Sequence, residues 1–231
     1  LTFAGLNAIE KTPAAIPRDK ELPMNQPQIQ GLFLSGGQSS RMGTDKALLE
    51  YDAGVPELVR WKAIFDELAV PFYWSQRPRQ YPDDVLPHII RIVDKNPASG
   101  PLGALLSAYQ YDPEAAWLVL ACDWPLLGVS DLQHLLEHRH PERAATSYVH
   151  EGFRQPLFSI YEPRFLQTAA KAWEGDQRSL QRLLLASDAW DVAVRNPEKF
   201  LNANDPVQME QALTRIRTAG ERRSYSSLRR I

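Results

Sequence analysis

A chain of 231 residues, 44% hydrophobic and 23% charged, has the composition of an ordinary globular protein and is long enough to bury a core without cross-links. A net charge of -2 gives no footprint of a nucleic-acid binder, and the single cysteine excludes an internal disulfide framework and fits a reducing cytoplasm. No apolar run is long enough to span a membrane and the start lacks the pattern of a secretory signal, so neither nucleic acid nor membrane is expected as a partner.

Residues 1–29 carry Pro13, Pro17, Pro23 and Pro27 without a sustained period and read as an irregular arm or linker; a start at Leu1 fits a piece of something longer. From residue 30 the pattern changes. Leu32, Phe33 and Leu34 form the apolar run expected of a buried parallel strand, and it breaks at Gly36-Gly37 into a polar loop with Ser39, Ser40, Arg41, Gly43 and Lys46. Adjacent glycines let successive N–H groups converge on anionic oxygens, the hydroxyls add donors, and Arg41 and Lys46 add two positive charges. This is the chemistry of a phosphate cradle. Thr44 stands where a Walker A lysine would sit and no Gly-x-Gly-x-x-Gly can be read, which disfavours both a P-loop NTPase and a dinucleotide-binding domain.

Further on, Glu57 to Ala69 places Leu58, Trp61, Ile64, Phe65 and Leu68 on one helical stripe. Pro71 to Ser75 and Ile89 to Val93 read as strands, Leu102 to Tyr109 as a helix entered at Pro101, and Ala116 to Ala121 as a nearly all-apolar strand ending in Cys122-Asp123-Trp124-Pro125. Ser130 or Asp131 is expected to cap a helix through Glu137, and Ala144 to Val149 and Gln155 to Tyr161 form a hairpin around Glu151-Gly152. Pro163 opens another helix, Leu180 to Leu185 is helical, Trp190 to Val194 and Phe200 to Leu201 are extended, and Pro206 to Ile216 closes the domain. Residues 218–231, with Arg222, Arg223, Arg229 and Arg230, read as a basic solvated tail. Strands alternating with helices over 30–217 predict an α/β, three-layer, Rossmann-like domain with a mostly parallel mixed sheet, whose ligands sit beyond the carboxyl ends of the strands. The glycine loop, Asp94 and Asp123 all follow predicted strands and so fall on that edge.

The run Leu34-Ser-Gly-Gly-Gln-Ser-Ser-Arg-Met-Gly-Thr-Asp-Lys46 strongly resembles the signature loop of the molybdenum cofactor guanylyltransferase family of nucleotidyltransferases. Four further segments are similar to that family in the same order: Asp94 with Gly100-Pro101-Leu102, Cys122-Asp123-x-Pro125, Gln155-Pro-Leu-Phe158, and Asn202-x-Asn204-x-Pro206. The resemblance implies a nucleotidyltransferase fold, transfer of GMP from GTP to molybdopterin or molybdenum cofactor with release of pyrophosphate, Mg2+ as cofactor, and a place among other proteins of the cofactor pathway. It implies that Leu34, Ser35, Gly36, Gly37, Lys46, Asp94 and Asp123 bind nucleotide and that Asp123 also binds the metal. Arg41, Lys46 and Asp123 would carry catalysis by neutralising charge, and Arg154, Gln155, Asn202 and Asn204 would lie on the closing or acceptor side. Two positions depart from the family pattern. Ser35 stands where alanine is usual, and Trp74, with Ser75 and Gln76 beside it, stands at the nucleotide-base position where a small polar residue is usual.

Without the family, Asp123 reads equally as a capping or salt-bridged aspartate, Asp94 as a turn aspartate bonding its own backbone, Arg154 to Phe158 as an edge strand, and Asn202 to Pro206 as a helix N-cap. His134 and His138 read as a solvated helix face, because Leu135 occupies the glutamate position of a His-Glu-x-x-His metal motif, and Cys122 reads as a core residue. The rival functions are a cytidylyltransferase for the same cofactor, a nucleotidyltransferase with another phosphate acceptor, and a non-catalytic nucleotide or cofactor carrier. Lys46, Asp94 and Asp123 together argue against the carrier.

Overall fold

The computed structural model describes residues 26–35, 46–52, 54–201, 203 and 206–218. Gly36, Gly37, Arg41, Asn202, Asn204, nearly all of the predicted arm and the tail from 219 onward lie outside the described residues, as does the Lys46 side chain.

The strands are β1 (Ile29–Leu34), β2 (Glu50–Asp52), β3 (Val55–Pro56), β4 (Phe72–Gln76), β5 (Ile90–Val93), β6 (Ala116–Ala121), β7 (Ala145–His150), β8 (Phe153–Tyr161) and β9 (Ala189–Ala193). The helices are α1 (Glu57–Glu67), α2 (Gly100–Tyr111), α3 (Val129–Glu137), α4 (Pro163–Glu174), α5 (Leu180–Ala186) and α6 (Pro206–Thr218). Seven strands form one sheet in the order β5-β4-β1-β6-β8-β7-β9, and β2 and β3 pair separately as a small hairpin. Only β8 runs against its neighbours, pairing antiparallel with β6 and β7, while the other pairs of the large sheet are parallel. The mostly parallel mixed sheet expected from the sequence is the one observed.

Strand alternation divides the core into two layers. On β1, Phe33 joins Trp61 and Phe65 of α1 and Leu132 and Leu135 of α3 on one face; Leu32 and Leu34 join Leu102 and Leu105 of α2, Phe165 of α4 and Leu184 of α5 on the other. The same split recurs on β6, with Leu118 and Leu120 on the first face and Trp117 and Val119 on the second. Side chains this large each stabilise the fold by about 1.5–3 kcal/mol when withdrawn from water. Gly31 in β1 leaves the room that Phe65 fills: a Cβ there would lie 2.0 Å from the ring.

Three local expectations are corrected. Helix α3 starts earlier than Ser130, because Gly128 is its N-cap and the Asp131 carboxylate accepts the Gly128 N–H at 2.9 Å from inside the first turn. Phe200 and Leu201 form no strand; a 3-10 turn over Pro197–Lys199 precedes them, and Phe200 buries its ring against Trp124, Tyr148 and Phe158. His134 is not on a solvated face: it is 7% exposed, and its Nδ1 is 2.8 Å from the Tyr148 hydroxyl.

Candidate functional site

Strand register assembles the site. Leu34 pairs with Ser75 of β4 on one side and with Ala121 of β6 on the other, and Gln76 pairs with Val93 of β5. The residues that leave these four adjacent strands are therefore Asp94, Gln76-Arg77, Ser35 and Cys122-Asp123, lined along one carboxyl edge. Where parallel strands end, backbone and polar side chains are no longer committed to the ladder, so ligands collect there.

Asp94 is 5% exposed and stands in a tight turn before α2. Its Oδ1 accepts the Asn96 N–H at 2.7 Å, so the turn-aspartate reading holds in the structure. Its backbone N–H donates to the Gln76 carbonyl at 2.8 Å, which ties the turn to the end of β4. Burial pushes the carboxyl pKa up, opposed by the Asn96 N–H and the Ser107 hydroxyl. Gly103 lets α2 close over this turn, since a Cβ there would sit 2.5 Å from the Asn96 carbonyl and 3.2 Å from Asp94 Oδ1.

At the end of β6, Asp123 is half-buried, and its backbone carbonyl accepts the N–H of fully buried Ala203 at 3.0 Å. That bond brings Ala203 to the end of β6. A 3-10 turn over Lys46–Leu48 is anchored by fully buried Ala47.

Ser35, the last described residue before the glycine loop, is held at every polar group. Its N–H and its hydroxyl donate to the Ser75 carbonyl at 3.3 and 2.9 Å, its hydroxyl oxygen accepts Trp74 Nε1 at 2.7 Å, and its carbonyl accepts Gln80 Nε2 at 2.9 Å. Leu34 before it is buried in the core. Trp74, expected at the nucleotide base, has a buried indole: it is 0% exposed, packs on Tyr81 with ring centroids 4.5 Å apart, and carries the Arg91 guanidinium 5.1 Å from its ring. Gln76, two residues on, is also buried, 5% exposed, and its Oε1 has no hydrogen-bond partner among the described residues. Arg77 Nε is likewise buried without a partner among them. Sequence reasoning placed Gln76 only beside the base position; its period-2 relation to Trp74 was the available signal, but both faces of this strand are buried.

Arg154, expected on the acceptor side, is tied into the fold. Its guanidinium is consumed by structure, donating to Asp191 Oδ1 at 2.6 Å, to the Leu184 and Ser187 carbonyls at 2.9 and 3.3 Å, and to the Ala189 carbonyl at 3.1 Å. It caps the end of α5 and fastens β9 to β8. Gln155 is half-buried, and its amide donates to the Phe153 carbonyl at 2.9 Å.

The description "MobA-like NTP transferase domain" matches residues 31–190. A molybdenum cofactor biosynthesis bifunctional protein of Synechocystis is 31% identical over 193 residues, covering 81% of this chain and 54% of that protein, so the chain spans about half the length of this relative. A probable molybdenum cofactor guanylyltransferase of Rhodopirellula baltica is 31% identical over 196 residues, covering 79% of this chain and 90% of that protein. Among solved structures, the molybdopterin-guanine dinucleotide biosynthesis protein A of Archaeoglobus fulgidus shares the fold with a TM-score of 0.64 at 16% identity, covering 83% of this chain and all of that one. A nucleotidyl transferase from Methanothermobacter shares it with a TM-score of 0.65 at 15% identity, covering 83% of this chain and 99% of that one. With a family match over most of its length, on a sheet whose strand ends collect the expected carboxylates, the chain belongs to the MobA-like NTP transferases, a family of nucleotidyltransferase enzymes.

Proposed function

We propose that this protein transfers GMP from GTP to the phosphate of molybdopterin or molybdenum cofactor. An acceptor phosphate oxygen attacks the α-phosphorus, the new P–O bond forms as the α–β bridge bond breaks, and pyrophosphate leaves with the displaced electron pair. A phosphate monoester is already largely ionised near neutral pH, so the reaction needs positioning and charge neutralisation more than a strong base. Lys46 and Arg41 supply positive charge from the glycine loop, and the Gly36-Gly37 amides hold the phosphates. The donor set suits Mg2+: Asp123 offers one carboxylate, enough for a hard cation that takes its other ligands from water and phosphate, and no cluster of three His, Cys, Asp or Glu side chains among the described residues offers a protein cage. Bound by Asp123, the ion would withdraw charge from the phosphate oxygens.

The observation that supports the guanine assignment is that the Rhodopirellula relative, 90% of whose length the match covers, is named a probable molybdenum cofactor guanylyltransferase; at the site, Gln76 Oε1 at the end of β4 is a buried acceptor without a hydrogen-bond partner among the described residues. Guanine presents N1–H and N2–H2 donors together on one edge, whereas cytosine and adenine present a single amino group. A buried acceptor lacking a partner fits a base that brings neighbouring donors, and leaving it unmatched penalises the wrong base. The test is pyrophosphate release with Mg2+ and molybdopterin or molybdenum cofactor. GTP is expected to be used much faster than CTP or ATP, and Gln76→Leu is expected to reduce the preference by about tenfold. A faster reaction with CTP would make the protein a cytidylyltransferase. Transfer only to another phosphate acceptor would keep the chemistry and replace the pathway.

A further inference from the structure

Glu57 and Arg60, one turn apart at the start of α1, form an ion pair whose side chains are only 1% and 2% exposed. Arg60 Nε donates to Glu57 Oε2 at 2.8 Å, and Nη2 also bonds the carboxylate. The guanidinium then reaches out of the helix: Nη1 donates to the Leu127 carbonyl at 2.7 Å and Nη2 to the Trp124 carbonyl at 3.3 Å. Trp61 Nε1 gives Glu57 a further donor at 2.8 Å. The two carbonyls belong to the turn that directly follows Asp123. The Glu57 backbone N–H, meanwhile, donates to the Leu49 carbonyl at 2.9 Å, one residue beyond the turn over Lys46–Leu48. The first turn of α1 thus bonds both the residue after the Lys46–Leu48 turn and the turn that follows Asp123.

A buried ion pair is a poor source of net stability, because desolvating two charges offsets most of their attraction and apolar residues of similar volume often do as well. What apolar residues cannot do is bond two carbonyls with one rigid fork. We infer that Arg60, oriented by Glu57, is a positioning residue that fixes the turn after Asp123 against the start of α1, and with it the direction in which the Asp123 carboxylate is presented. The inference rests on the function proposed above.

Arg60→Met alone would strand a buried carboxylate, so the test uses two other variants. The double variant Glu57→Gln, Arg60→Met removes both charges and the carbonyl grip while keeping an acceptor for Trp61. Arg60→Lys keeps the charge pair but loses the fork. Three quantities are read: hydrogen exchange of the 122–128 amides, Mn2+ affinity by electron paramagnetic resonance with GTP present, and kcat and KM for pyrophosphate release. The folded double variant is expected to exchange faster over 122–128 and to lose about 10- to 100-fold in Mn2+ affinity and kcat, with the GTP KM changed by less than about threefold. Arg60→Lys falls between it and wild type, and if the double variant does not fold, the same readings on Arg60→Lys decide. Wild-type exchange, Mn2+ affinity and kcat in a folded variant, or a loss confined to thermal stability, would overturn the inference. Wild-type protein that releases no pyrophosphate from GTP would instead overturn the functional reading, while 122–128 exchange and Mn2+ affinity still decide what Arg60 positions.

Discussion

Trp74 Nε1 donates to Ser35 Oγ at 2.7 Å, with both residues buried, so two residues expected at the nucleotide site are bonded to each other. An indole N–H withdrawn from water requires an acceptor, and an alanine at position 35 would offer none. Ser35→Ala is therefore expected to lower stability by about 1–3 kcal/mol. Adding Trp74→Phe removes the orphaned donor and should return part of that loss. Denaturant unfolding of the two single variants and the double variant measures the coupling; a coupling energy near zero would show that the bond contributes nothing.

Asp123→Asn keeps the size of the side chain and the backbone carbonyl that receives Ala203 N–H. The variant should fold with a thermal midpoint near that of wild type and lose roughly a hundredfold or more in Mg2+-dependent turnover, the scale on which a directed charge-stabilising group acts. Near-wild-type pyrophosphate release by the folded variant would remove Asp123 from the mechanism.

For Arg154, whose donors are spent on Asp191 and on the carbonyls at the end of α5, the expected effect is structural. Arg154→Ala leaves those carbonyls and a half-exposed aspartate without their shared partner and should cost about 2 kcal/mol in urea unfolding. A drop in turnover with no change in unfolding midpoint would return Arg154 to the acceptor side.

His134 links stability to pH. Burial lowers its pKa below the ordinary 6.5, with the Arg195 and His138 charges acting in the same direction and Glu137 and Asp131 against it. In the window between the lowered folded value and 6.5 the unfolded chain binds a proton that the folded chain does not, so this contribution is complete above 6.5 and is lost as pH falls through the window. The stability difference between wild type and His134→Gln should therefore shift toward the variant on acidification from about pH 7 to about pH 5. A difference that stays constant over that range would contradict the lowered pKa.

The strand and helix pattern, the mixed parallel sheet and the edge on which Ser35, Asp94 and Asp123 gather were legible in the sequence, because apolar periodicity and the glycine and proline punctuation between elements act over a few neighbouring residues. The tertiary structure alone decided how polar side chains at that edge are spent. Trp74 turns inward because a serine 39 positions earlier accepts its N–H; Arg154 is taken up by carbonyls 30 and 33 residues away; Arg60 reaches carbonyls 64 and 67 residues further on. Gln76, beside Trp74, keeps its acceptor open among the described residues. A buried polar group must find a partner wherever the fold brings one, and that partner is set by the packing of distant elements, so no local period in the chain encodes it.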